Sequence, residues 1–501
     1  MNSKQLLSLY ATAALFGGHA AAFWRMECRG VTGQARLDPL VNPGVAADHA
    51  HEIFGSGGFG ETTEYDDLVG SNCTSCAATQ DKSAYWTPIP YFKSDSTGEY
   101  EAVGNVGGML AYYFLNGEDI KAFPKGFRMI AGDTKRRNYT VGNGDYQAPD
   151  PDKSLWRSLN QVTQGDLAQR ALGFNCLDYS KAAEGSLYRH FLPSKDYIDA
   201  NCPDGIRFEL MFPSCWDGKN LDSDDHMSHV AYPDLVINGD CPSDFPVRLP
   251  GLFYETIWDM AKFSDKDGIF IMSNGDPYGF GYHGDFIMGW EENDSFKLQD
   301  AVDICTSTSG TVQDCPVFNL QDQTAMNQCK LDLPGELLKE DVLGPISELP
   351  GDVQVFWGPG PASGSPAEAT APSSVVLPTL TYSAGSTASV NGSFVPGNAF
   401  KAASTPQPEP MADAVKGAAV VTPAISAAPT GPTEIAYSTA YETTTLADGT
   451  VMVNEVVYEE VIDYVTVATT TTVYVDPTGA PAARRRSAHA HHRRHVHGRA
   501  H

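Results

Sequence analysis

The sequence predicts a mainly β domain, a disulfide-bonded β-sandwich or jelly-roll-like core with a few helical decorations (α+β), followed by a disordered C-terminal tail. Three observations carry this expectation. Short β-prone runs recur at 108–114, 205–212 and 268–273 between Asn-Gly, Asp-Gly and Pro-containing turns, while long helical periodicity is scarce. All ten cysteines fall between Cys28 and Cys329. Beyond residue 357 the composition shifts to Ala, Pro, Ser, Thr, Gly and Val, which bury too little surface to fold.

Taken in chain order, residues 1–22 read as a signal peptide. Lys4 supplies the positive start, residues 6–16 an apolar stretch too short to span a bilayer, and Ala20-Ala21-Ala22 a small-x-small cleavage pattern. The mature chain then begins at Phe23. No later run is long and apolar enough for a transmembrane segment, and the polar C-terminus does not read as a glycolipid-anchor signal. Residues 23–357 form the globular part. An even number of cysteines in an exported chain reads as a disulfide framework whose connectivity is open, and Cys73-Thr-Ser-Cys76 reads as structural rather than redox or zinc chemistry. Sequons at Asn72, Asn138, Asn293 and Asn391 fit a secreted glycoprotein.

Residues 23–357 hold 25 Lys and Arg against 51 Asp and Glu, a net charge of −26. Such an excess of acid argues against nucleic acid or an anionic membrane as partner. Helices are expected only over 155–170, 254–263 and 295–304. Residues 358–433 read as a Pro/Ser/Thr/Ala-rich linker, 434–476 as a Thr/Val/Tyr-rich segment like those of wall proteins, and 477–501 as a basic His-rich tail whose dibasic pairs are candidate processing sites.

Between the signal peptide and that tail there are six histidines, and five sit in three compact clusters. The first is Asp48-His49-Ala50-His51-Glu52. Residues two apart in a strand point to one face, so His49 and His51 can share one metal ion or one substrate group. The cupin pattern also calls for a Glu four or five residues later, and after Glu52 the next is Glu61, so that match is partial. The second cluster is a carboxylate-rich loop from Cys215 to His229 containing Asp225, His226 and His229. The third, from Ser273 to Asp285, is glycine-rich and carries Asp276, His283 and Asp285; its glycines permit close backbone approach to a ligand. Imidazoles and carboxylates together suit a divalent metal ion, and paired carboxylates suit acid–base cleavage of a glycosidic bond. Trp24, Tyr85, Trp86 and Trp216 are candidate exposed aromatics for stacking on sugar rings.

Several long motifs occur in order: Phe23-Trp-Arg-Met-Glu-Cys-Arg-Gly30, Asp38-Pro-Leu-Val-Asn-Pro-Gly44, His49-x-His51-x-x-Phe-Gly55, Cys215-Trp-Asp-Gly-Lys-Asn-Leu-Asp222, Asp225-His226-Met-Ser-His229-Val-Ala-Tyr-Pro233 and Gly281-Tyr-His283-Gly-Asp285-Phe. Together they resemble a fungal secreted family known only as a domain of unknown function, some of whose members carry sugar-binding WSC modules. The resemblance covers residues 23–357. It implies secretion, a single domain and an association with cell-wall glycan, and it brings no assigned reaction. Met288 stands where the family more usually has Asn.

The expected function is that of a secreted protein acting on or binding cell-wall or environmental polysaccharide. In this reading His49, His51, His226 and His229 are the metal ligands, and Asp225, His283 and Asp285 the catalytic acid–base groups of a hydrolase or lyase. The alternative is a noncatalytic wall or adhesion protein that binds glycan or metal through the same residues. Oligomeric state is not expected to be legible.

Overall fold

The computed structural model describes residues 22–357, and the backbone of two further strands, 434–445 and 451–462. The predicted signal peptide, the linker, the rest of the wall-like segment and the His-rich tail lie outside the described residues.

The described chain is mostly β, with 28% strand and 14% helix in several antiparallel sheets. One five-stranded sheet runs in the order β1 (Ala22–Cys28), β7 (Asn105–Leu115), β14 (Gly251–Trp258), β10 (Ile206–Met211) and β9 (Leu172–Cys176). The second runs β2 (Gly33–Ala35), β3 (His51–Gly55), β4 (Ala84–Pro88), β16 (His283–Ile287) and β8 (Arg128–Gly132). Two three-stranded sheets flank them. One is β12 (Val230–Ala231), β11 (Cys215–Trp216) and β13 (Val247–Arg248); the other is β15 (Gly268–Met272), β5 (Pro90–Ser94) and β6 (Tyr100–Ala102). Separately, β17 (Glu434–Thr445) and β18 (Val451–Ile462) pair as an antiparallel ribbon.

The two large sheets pack face to face. Met109, Ala111 and Tyr113 of β7 and Phe208 and Leu210 of β10 share one core with Phe54, Tyr85, Met129 and Phe286 of the other sheet. Each fully buried side chain of this size contributes roughly 1.5–3 kcal/mol. Polar links cross the core: the hydroxyls of Tyr85 and Tyr113 lie 2.7 Å apart, and that of Tyr254 donates to the Asp285 carbonyl at 2.8 Å. Period 2 sends the alternate residues outward. Leu110, Tyr112, Phe253 and Ile257 meet Leu167 of α2 (Gln164–Arg170), while Ile53, Trp86, Ile130 and Ile287 are covered by Leu37, Leu40, Phe59 and Leu68 of α1 (Tyr65–Gly70). Both faces of both sheets are therefore buried, which is why their central strands read as apolar runs.

That burial corrects one expectation. Residues 254–263 are not helical: β14 continues to Trp258, all eight of its residues buried between β7 and β10, and a single 3₁₀ turn follows at Met260–Phe263. The helix within 155–170 is confined to α2, which starts where Thr163 and Asp166 form a reciprocal cap. The helix within 295–304 is α4 (Leu298–Ile304), preceded in the chain by α3 (Lys195–Asn201) and followed by α5 (Gln323–Gln328).

All ten cysteines pair, as Cys28–Cys76, Cys73–Cys329, Cys176–Cys202, Cys215–Cys241 and Cys305–Cys315. Cys73 and Cys76 thus serve two different cystines. Five cystines suit an oxidising, extracellular compartment, and no described helix is long and apolar enough to cross a membrane. Asn72, Asn138 and Asn293 are exposed.

The aromatic expectation is corrected as well. Trp24, Tyr85 and Trp86 are buried in the sandwich, because they occupy strand positions that face the core or its covered outer side. Trp216 is half-buried, its indole donating to the Asn220 carbonyl at 2.7 Å.

Candidate functional site

The register of the second sheet brings two histidine clusters together. His51 opens β3 and pairs with Pro88, the last residue of β4. On the other side of β4, Asp285 of β16 pairs with Trp86. His283, two residues before Asp285, therefore stands level with Pro88. It shares the outer face with Asp285 and Ile287, as His51 does with Ile53. Gly132 of β8 pairs with His283. Its φ is +85°, and a Cβ there would run into the Tyr282 carbonyl and the His283 backbone, so glycine lets β8 close on β16 at this point. His49 comes from the turn entering β3, with its ring centroid 4.3 Å from His51 and 5.0 Å from His283.

Ligand atoms of His49, His51 and His283 all lie within 4.8 Å of one another, and among the described residues they form the one such group. The Nε2 atoms of His49 and His283 are 3.1 Å apart. Two imidazole nitrogens on a tetrahedral zinc, with bonds of 2.0–2.1 Å, sit about 3.3 Å apart. His283 Nδ1 is 2.9 Å from the Gly281 carbonyl, which makes Nδ1 the protonated nitrogen and leaves the Nε2 lone pair facing His49. A single proton on His49 Nε2 satisfies this pair. It does nothing for His51, whose two buried ring nitrogens have no hydrogen-bond partner, although the Leu37 carbonyl lies near enough to favour its charged form. An unpaired buried polar atom costs roughly 1–3 kcal/mol, and a cation shared by the three rings removes that cost. The donor set fits a divalent metal.

Electrostatics keep the rings ready for that role. Burial first, then the neighbouring imidazoles and the Arg137 charge, push His49 well below the usual histidine range. Burial and His283 do the same to His51. His283 is pushed down to about 4, again chiefly by burial. All three are neutral near pH 7, as metal ligands must be.

His49 and His283 open onto a cavity of about 480 Å³ whose wall includes Asp38, Asp133, Arg137, Asp225, His226 and Asp285. Asp285 is fully buried, neither carboxylate oxygen has a hydrogen-bond partner, and burial followed by the charge of Asp38 pushes its pKa well above the carboxylate range. Asp38 is itself pushed up to about 6 by burial, against the Val41 and Leu40 amides that bond its anion. Arg137 reaches the cavity from the loop after β8, held by the carbonyls of Thr134, Arg136 and Asn274.

The other expected residues are placed differently. His229 spends both ring nitrogens locally, on the Ser223 hydroxyl and the Arg128 carbonyl, each at 2.9 Å. His226 lines the cavity but is bound through Asp222 at 2.7 Å and the Leu40 carbonyl at 3.1 Å. Asp225 accepts from the Ser223 hydroxyl and the Met227 and Ser228 amides. Burial raises its pKa, but those donors outweigh it and bring the value down to about 2. Asp276 caps its turn by accepting from the Tyr278 and Gly281 amides. Met288 is buried in the sandwich core, away from the histidines. Arg137 and Asp38 were not singled out; Asp38 stands within a quoted motif, whereas nothing local marks Arg137.

No curated protein and no solved structure matches this chain. Residues 38–290, which contain all three clustered histidines, match a family model described as a domain of unknown function, and the chain belongs to that family, DUF1996.

Proposed function

We propose that His49, His51 and His283 hold a divalent metal ion, and that the protein is a secreted enzyme using it to cleave cell-wall or environmental polysaccharide as a hydrolase or lyase. The observation that carries the reading is the trio of buried, neutral imidazoles with His51 unsatisfied. When bound there, a metal ion of this kind polarises a ligated oxygen and lowers the pKa of bound water.

This chain's own groups supply the rest. Asp285, whose carboxyl pKa burial pushes well above the carboxylate range, stands on the cavity wall and can give a proton to a departing sugar oxygen. Asp38, nearer neutrality, can accept one. Arg137 places a fixed positive charge beside the histidines and offers charge stabilisation to an oxyanion. His226, Asp225 and Asp222 form a hydrogen-bonded rim rather than reacting groups.

The test is incubation of metal-loaded protein with β-glucan, chitin and pectin, scoring new reducing ends for hydrolysis and unsaturated ends for elimination. Asp285→Asn should keep its metal and lose at least about 100-fold in rate, the span typical of general acid catalysis. Unchanged turnover in that variant would refute the assignment of Asp285. Binding without any product from the wild type would favour a noncatalytic wall protein.

A further inference from the structure

A second cavity, of about 500 Å³, is lined in part by the same two chain segments as the first. Phe356 lines the histidine cavity and its neighbour Trp357 the second one. Likewise the loop after β15 gives Asn274 to the first cavity and Pro277 and Tyr278 to the second. The segments are joined where the Phe356 amide donates to the Gly275 carbonyl at 3.0 Å.

The second cavity is rich in aromatic side chains, with Tyr146, Phe191, Tyr197, Phe270, Tyr278 and Trp357 in its lining. Trp357 is 51% exposed, whereas Trp24, Trp86, Trp156, Trp258 and Trp290 are at most 2% exposed. An indole left open in a concave surface is an apolar face awaiting a partner.

The polar groups decide what partner. The charged residues of the lining are Arg189 and Lys195, in a domain otherwise rich in acid. Each is already neutralised, Arg189 by Glu184 at 2.8 Å and Lys195 by Asp199 at 2.5 Å. The cavity therefore has no surplus positive charge with which to select an anion. It does have N–H donors held in fixed positions, together with the Gln147 amide and the Ser194 hydroxyl. Fixed donors beside aromatic faces match a ring that carries hydroxyls on its edge and C–H groups on its face.

We propose that this cavity is a distal subsite for a neutral sugar unit, seated on Trp357 and Tyr278, of the same polysaccharide whose cleaved bond lies at the histidines. The idea rests on the polysaccharide reading above and narrows it: the substrate is an extended neutral glycan, and affinity grows with chain length.

Isothermal titration calorimetry of the full-length secreted protein tests it, with hexasaccharides of β-1,3-glucan, chitin and mannan and with hexagalacturonate. At least one neutral hexasaccharide should bind. Its affinity should fall about tenfold in Trp357→Ala and in Tyr278→Ala, and recover in Trp357→Phe, which keeps a ring. The disaccharide of the same sugar should bind more weakly than the hexasaccharide. The same titration after chelation separates the two claims, because ring-dependent binding that persists without metal upholds the subsite whatever becomes of the metal. Binding of hexagalacturonate alone, no binding by any neutral hexasaccharide, or affinity indifferent to both alanine variants would overturn the proposal.

Discussion

The Nε2 atoms of His49 and His283 stand 3.1 Å apart although 234 residues separate them in the chain. Their meeting depends on β3 and β16 flanking β4, so the candidate centre exists only once the second sheet has its register. A slip of one residue in β16 would turn His283 and Asp285 into the sandwich core and Phe286 out of it. Core packing and site assembly are thus one event in this fold.

A buried charge cluster on the first sheet makes a separate stability prediction. Arg207 lies between Glu209 at 2.8 Å and Glu255 at 3.0 Å, all three essentially inaccessible. Arg207→Met leaves two buried carboxyls without their cation and should cost about 3–5 kcal/mol at pH 7 in urea unfolding. Burial already raises both carboxyl pKa values, Glu209 to about 7. The variant raises them further, so its folded state binds protons more tightly, and its deficit should grow above pH 7 and shrink as pH falls through 7 toward 6. A deficit that is constant with pH would argue against this account.

The cystine from Cys73 to Cys329 closes a loop with a sequence separation of 256 residues. Chain entropy sets an upper value of about 5 kcal/mol for such a loop. Replacing both cysteines by serine should lower the unfolding free energy by roughly 2–5 kcal/mol. The Cys305–Cys315 cystine spans a separation of only 10, and its removal should cost distinctly less. Equal losses would mean that native-state contacts, not loop length, dominate.

Asp225 provides an acid-side signature. Its folded pKa of about 2 lies below the ordinary carboxylate value. The stability it contributes is therefore fully present above about pH 4 and is lost as pH falls toward 2. Asp225→Asn should melt below the wild type at pH 6, and the two curves should converge near pH 2 by scanning calorimetry. Curves that stay parallel would show that the Ser223, Met227 and Ser228 donors do not depend on its charge.

Much of the sandwich could be read from the chain. The runs at 108–114, 205–212 and 268–273 fall within or against β7, β10 and β15, because β-branched and aromatic residues between turn signals suit a pleated surface. The 254–263 segment misled because β14 is buried on both faces. Its apolar residues do not alternate, and a short apolar run carries no period by which to tell strand from helix. Trp24, Tyr85 and Trp86 misled for a related reason: Trp24 and Tyr85 point into the core between the sheets, and the outer face that carries Trp86 is covered by loops and a helix.

The site was legible as three clusters but not as a set of partners. Spacing marked His49 and His51, yet the third ring of the trio is His283 rather than His226 or His229. Sheet register chooses it, and register is invisible in a local motif. His229 and Asp225 looked equivalent to it in sequence, but Asp225 is satisfied by a hydroxyl and amides of its own loop, and His229 by the Ser223 hydroxyl and the Arg128 carbonyl of β8. Cystine pairing was closed to sequence for the same reason: Cys73 and Cys76 are three apart and bridge to Cys329 and Cys28.

The most direct test of the central claim is elemental analysis of the full-length secreted protein by inductively coupled plasma mass spectrometry. Wild type is compared with His51→Ala and His283→Ala, so that any metal on the His-rich tail cancels. The account predicts that each variant, folded and with its cystines intact, carries one equivalent of divalent metal less than the wild type. Equal metal content in all three proteins would contradict it.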